Sequence, residues 1–225
     1  MKDKHSKTIK IFFYGDSICF GQGVSINKGW ALQVVNFLDE ALVASESKVL
    51  VTNSSVNGRT TRQALEDMPY HVQGQNPDIV IIQYGLNDCN HWATDRGLPR
   101  VSQRSFEANL VEMVERATHF GAKFVLLNNN HPTSRFTENF PHTDKTYEDF
   151  NKKYNSITRA VAAELGGKVL FQDVENYFIN LREQGVGVSQ YLLSDGLHLN
   201  EIGHQLYYEL MRPVLMSLIE QMVRK

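Results

Sequence analysis

The segment Asp78–Tyr84, DIVIIQY, does most to limit how this 225-residue chain can fold. It follows Pro77 and is almost unbroken apolar sequence rich in β-branched residues, so it reads as a strand buried on both faces. Such a strand needs a layer of structure above it and another below. The rest of the chain supplies them, because short β-branched and aromatic runs alternate with longer stretches of helical period, the pattern of a parallel sheet covered by helices. Strands are expected at Thr8–Tyr14, Lys48–Asn53, Asp78–Tyr84, Lys123–Asn128 and, more weakly, Lys168–Gln172. Helices are expected at Trp30–Ala44, where Leu32, Val35, Leu38 and Leu42 form one stripe, and at Phe106–Phe120, Tyr147–Leu165 and Glu201–Val223. Thr60-Thr61-Arg62-Gln63 has the spacing of a capping box, so a short helix opens there.

With 42% hydrophobic residues the chain can bury a sizeable core, and no repeat, low-complexity tract or Gly/Ser linker divides it. One domain over residues 1–225 is expected. The 23 basic and 25 acidic residues leave a net charge of −2, which lacks the electrostatic footprint of a nucleic-acid-binding protein. The stretch Met1–Lys10 is basic, but Ile11–Phe13 is too short for a signal-peptide core, and no segment reaches membrane-spanning length. The expectation is a soluble, cytoplasmic protein without membrane insertion. Two cysteines, Cys19 and Cys89, exclude a disulfide scaffold and read as packed thiols, and most of the eight histidines read as surface or loop residues.

In an open parallel sheet, ligands bind at the carboxyl ends of the strands. Gly15-Asp16-Ser17 follows the first strand, Asn57-Gly58 the second and Gly85-Leu86-Asn87-Asp88 the third. Each cluster alone is accounted for by turn and cap chemistry. A fourth, Ser194-Asp195-Gly196-Leu197-His198, stands directly before the last helix. Asp195 can fold back to accept the Nδ1 proton of His198 and leave Nε2 free as a base, which with an exposed serine after strand one gives Ser, Asp and His of a hydrolytic triad. Two long polar connections, Cys89–Ser105 and Asn129–Thr146, are expected near a ligand.

Gly15-Asp16-Ser17-Ile18, Gly58, Gly85-Leu86-Asn87-Asp88 and Asp195-Gly196-Leu197-His198 resemble the four blocks of the SGNH hydrolases, or GDSL esterases and lipases, in family order across almost the whole chain. Ile18 stands where leucine is usual. The resemblance implies an α/β fold, a three-layer α/β/α sandwich around a mostly parallel five-stranded sheet of flavodoxin-like type. It implies Ser17 as nucleophile, His198 as general base and Asp195 as its orienting carboxylate, with the Ser17 and Gly58 backbone N–H groups and the Asn87 side-chain amide as oxyanion hole. Asp16 and Asp88 are expected to fix turns. The chemistry asks for no metal or organic cofactor, and its partner is a small-molecule ester.

Three other readings fit less well. Gly21-Gln22-Gly23 lacks the third glycine of a dinucleotide-binding turn, because position 26 is isoleucine. A phosphotransfer domain would use Asp16 with a second aspartate two positions on, where Ile18 stands. A non-catalytic binding module has no reason to place Ser, Asp and His at these ends. Trp92, Phe136 and Phe140 with Arg96, Arg100, Arg104 and Arg135 on the long connections suit a polar or sugar-like alcohol with some negative charge, although the arginines also read as solvated loop charges, and no large apolar lid segment is present. A short acyl group, acetyl, on a carbohydrate or other small metabolite is therefore expected, with thioester or lysophospholipid cleavage as the alternative. His131, after the fourth strand, could line the pocket or be a merely exposed loop residue, and His204 reads as a packing residue.

Overall fold

The structure, a computed structural model, describes residues 8–42 and 47–223. Its strands are β1 (Thr8–Gly15), β2 (Lys48–Asn53), β3 (Ile79–Gln83), β4 (Phe124–Asn128) and β5 (Leu170–Gln172). Its helices are α1 (Ser17–Phe20), α2 (Trp30–Leu42), α3 (Thr61–His71), α4 (Gln103–His119), α5 (Tyr147–Leu165), α6 (Val174–Glu183) and α7 (Glu201–Val223). The last two residues of the helix expected over 30–44 lie outside the described residues, as does His5. Among the described residues no helix is long and apolar enough to cross a membrane.

The five strands form one sheet in the order β2-β1-β3-β4-β5, and every pairing within it is parallel. All five residues of β3 are buried, as its continuous apolar sequence requires. In β1, Ile11, Phe12, Phe13 and Tyr14 are buried as well, each removal from water contributing about 1.5–3 kcal/mol before entropy is counted. The edge strand β2 is only half-buried. Because β2 lies to one side of β1 and β4 to the other side of β3, right-handed crossovers put α2 on one face of the sheet and α4 and α5 on the opposite one. Accordingly α2 packs on α7, and α4 packs between α3 and α5.

Local chemistry sets the element ends. The capping box at Thr60 forms as its spacing predicts: the Thr60 side chain accepts from the Gln63 N–H, and the Gln63 side chain accepts from the Thr60 N–H at 3.0 Å. At the start of α2, the buried indole of Trp30 stacks on Tyr207 of α7 at 4.4 Å and meets Phe13 edge-on at 5.2 Å. His204 Nδ1 accepts the Trp30 backbone N–H at 3.3 Å, which satisfies a free donor of the first turn. His204 is thus a packing residue, and burial pushes its pKa down to about 4.

The expected five-stranded parallel sheet is present, and all of its pairings are parallel. Two expectations need correction. An additional helix, α6, follows β5, capped by the Asp173 side chain on the Asn176 N–H. Finally, His91 and His131 are buried, so the surface reading of the histidines holds at His71, His119 and His142 but not at these two, whereas His204 is buried as its packing reading expects.

Candidate active site

In the order 2-1-3-4-5 the chain leaves β1 toward one edge of the sheet and β3 toward the other, so the carboxyl ends of these two strands form the topological switch point, where sheets of this kind bind ligands. Gly15 and Gln83 are the last paired residues there. The segments that continue from them carry Ser17 and Asn87.

Ser17 begins α1. Asp16 caps that helix, its Oδ1 accepting the Ile18 N–H at 3.0 Å. The turn is tight enough to require glycine at position 15, where a Cβ would approach Cys19 Cβ to 2.7 Å. Ser17, expected to be exposed after strand one, is instead buried because it opens α1 against the sheet, and its Oγ lies 3.0 Å from His198 Nε2. His198 Nδ1 in turn lies 2.5 Å from Asp195 Oδ2. With Asp195 accepting the Nδ1–H, the Nε2 lone pair faces the Ser17 hydroxyl. The line can pass a proton from hydroxyl to imidazole while the carboxylate stabilises the resulting positive charge.

The Asp195–His198 loop is folded by Asp195 itself. Its Oδ1 accepts the backbone N–H groups of Leu197 at 2.9 Å and His198 at 3.0 Å. Partial burial alone would raise the Asp195 pKa, but the bonds from the His198 ring and from these two N–H groups outweigh it and hold the carboxyl below its usual range. Gly196 sits at φ +70°, and a Cβ there would come within 2.3 Å of Ser134 Oγ.

Of the expected oxyanion donors, Asn87 is tied to the turn that carries Ser17. Asn87 is half-buried, and its Nδ2 donates to Asp16 Oδ2 at 3.3 Å, leaving the second amide hydrogen uncommitted by that bond. Gly58 is exposed, and its carbonyl accepts from Arg100 Nη1 at 3.1 Å. Neither the Ser17 nor the Gly58 N–H donates to another backbone group among the described residues. Asp88 accepts the Thr61 N–H at 2.9 Å and the Thr61 hydroxyl at 2.5 Å, tying the segment after β3 to the start of α3. Asp16 and Asp88 are fully buried turn-fixing groups, and burial pushes their pKa values up to about 7 and about 6.

The two long connections touch the site through residues the sequence did not single out for this purpose. Arg100 stacks over Trp92 at 4.7 Å while holding the Gly58 carbonyl. Arg135 donates from Nε to the Asp195 carbonyl at 2.9 Å and covers the Tyr147 ring at 5.3 Å. Both arginines are therefore committed to protein groups. Phe140 is partly buried against His91 and Phe150, whereas Trp92 and Phe136 are exposed. His131 is fully buried, so neither a merely exposed position nor a pocket wall describes it: its Nε2–H donates to the Leu197 carbonyl at 2.9 Å. Burial pushes its pKa down to about 4. Cys19 and Cys89 are buried free thiols.

Known proteins share this architecture. Residues 13–206 match the profile of the GDSL-like lipase/acylhydrolase family. The chain is 27% identical over 220 residues to an uncharacterized lipoprotein of Bacillus subtilis (strain 168), covering 87% of each, and 26% identical over 190 residues to an arylesterase of Vibrio mimicus, covering 84% of this chain and 79% of that one. Among solved structures, an acetylxylan esterase from Geobacillus stearothermophilus superposes with a TM-score of 0.73 at 22% identity, over 92% of this chain and 93% of its own. A lipase/acylhydrolase from Enterococcus faecalis gives 0.67 at 22% identity, over 93% and 96%. With the profile spanning most of its length and the fold shared with solved esterases, the chain belongs to the GDSL-like lipase/acylhydrolase family of SGNH hydrolases and is a hydrolase of ester bonds.

Proposed function

We propose that residues 1–225 act as one serine esterase domain in which Ser17, His198 and Asp195 are the catalytic triad. The observation that carries this reading is the 3.0 Å approach of Ser17 Oγ to His198 Nε2 across 181 positions of sequence. Few folding requirements would bring a half-buried imidazole and a buried hydroxyl into that register and back the imidazole with a carboxylate. During attack on an ester carbonyl, His198 takes the Ser17 proton, and Asp195 stabilises the imidazolium. The developing oxyanion is met by the Ser17 and Gly58 N–H groups and the Asn87 amide, in place before the reaction begins. His198 then protonates the departing alcohol, leaving an acyl-serine that water, deprotonated by the same imidazole, hydrolyses.

The substrate we propose is a short acyl ester, acetyl above all, of a carbohydrate or other small metabolite. Similarity to a solved acetylxylan esterase supports the acetyl choice, and similarity to an arylesterase supports ester hydrolysis in general. Hydrolysis of p-nitrophenyl esters from acetate to decanoate, run beside acetylated sugars, tests it. kcat/KM should fall as the acyl chain lengthens, and acetylated sugars should be turned over. A maximum at eight or ten carbons would refute the short-acyl assignment.

A further inference from the structure

The Asp195–His198 loop belongs to no strand, yet its backbone carbonyls are held one after another by the segment that follows β4. The Asp195 carbonyl accepts Arg135 Nε–H at 2.9 Å, the Gly196 carbonyl accepts the Ser134 N–H at 2.9 Å, and the Leu197 carbonyl accepts His131 Nε2–H at 2.9 Å. This cradle is itself fastened to α5 by groups that are buried and polar where an apolar face would suffice for packing. Asn155 pairs with both backbone groups of Asn130, at 2.8 and 2.9 Å. Asn151 Nδ2 donates to the His131 carbonyl at 3.0 Å, and Glu148 Oε2 accepts the Thr133 N–H at 2.8 Å. Burying such groups is costly unless they are hydrogen-bonded, so their use here fixes the cradle rather than the core.

Resting on the triad reading above, we infer that His131 is a positioning residue for His198: its Nε2–H fixes the peptide immediately before the base and so sets the imidazole against Ser17. A ring nitrogen that donates to a carbonyl from a fully buried site holds one tautomer and one orientation. Its loss would leave the Leu197 carbonyl free to rotate, and His198 with it. A single neutral hydrogen bond is worth about a five- to tenfold change when a transition-state geometry depends on it.

The test compares His131→Leu, which removes the donor, with His131→Gln, whose side-chain amide restores one at the same reach. Turnover is normalised to sites titrated by a fluorophosphonate, so that unfolded protein is not counted. His131→Leu should lose about tenfold in kcat with KM within about twofold, and His131→Gln should recover most of the loss. Wild-type kcat per titrated site in His131→Leu, or a His131→Gln variant as slow as His131→Leu, would overturn the inference. Should His131→Leu fail to fold, Arg135→Met removes the neighbouring bond from a partly exposed side chain and should cost about threefold in kcat. An unchanged kcat there would overturn the cradle. If the wild-type chain is not labelled at Ser17 at all, the triad reading fails first, and this inference falls with it.

Discussion

Ser17 and Asn87 stand just past the ends of β1 and β3, whose ladder of parallel pairings fixes the backbone up to Gly15 and Gln83. Asp195 and His198 stand on a loop whose carbonyls are held by side chains and backbone from residues 131–135. The two sides also treat their carboxylates in opposite ways. Asp16, behind the nucleophile, is fully buried, and burial raises its pKa to about 7. Asp195, behind the base, is partly exposed and hydrogen-bonded into the ionised form. A sheet can hold a turn rigidly enough for a hydroxyl and an amide. A base that must gain and lose a proton needs a charged partner and a loop tuned to it.

The base side offers the largest effects. His198→Ala should lower kcat on the order of a million-fold and Asp195→Asn by less, on the order of ten-thousand-fold, because the backbone bonds that shape the loop partly survive the second change. Steady-state kinetics check this ranking. If the aspartate change proved the more damaging, the division of roles between the two residues would be wrong. On the nucleophile side, Asn87→Ala should cost on the order of a hundredfold to a thousandfold in kcat with little change in KM, since the lost donor acts on charge that appears only in the transition state. A loss confined to KM would make Asn87 a substrate-binding residue instead.

The smallest effect separates the two carboxylates by pH. The folded Asp16 carboxyl holds its proton up to about pH 7, while in the unfolded chain it gives it up near 3.8. Between those values the folded state binds more protons, so this group's contribution to stability falls as pH rises. Asn has no such titration. Melting temperatures of Asp16→Asn and wild type should therefore diverge in favour of the variant as pH rises from about 4 to about 7. The comparison is made as a difference because His131 and His204, held neutral in the fold, push the wild-type curve the other way. A difference that stays flat would mean that Asp16 is ionised in the fold like Asp195.

How much of this was legible in the sequence follows the same division. The strand-end clusters at 15–17, 58 and 85–88 could be found because local composition announces both the strand and the turn. β3 needed only its unbroken apolar run. The helix α6 was missed although Val174, Phe178 and Leu181 recur at helical spacing behind the capping Asp173; the signal was there in a short, polar segment. The burial of His131 left no such trace. Its partner is the Leu197 carbonyl, 66 positions away, and nothing in Asn130-His131-Pro132 distinguishes a donor to a distant loop from an exposed turn. Likewise the arginines at 100 and 135 read as free charge, because a guanidinium's use on a backbone carbonyl depends wholly on which loop comes to lie beneath it.

The most direct test of the triad is to incubate the wild-type chain and Ser17→Ala with a fluorophosphonate and with p-nitrophenyl acetate. Stoichiometric labelling at Ser17 in the wild type, with labelling and acyl-enzyme burst both absent from Ser17→Ala, is the expected result. Ester hydrolysis at the wild-type rate in Ser17→Ala would contradict the account.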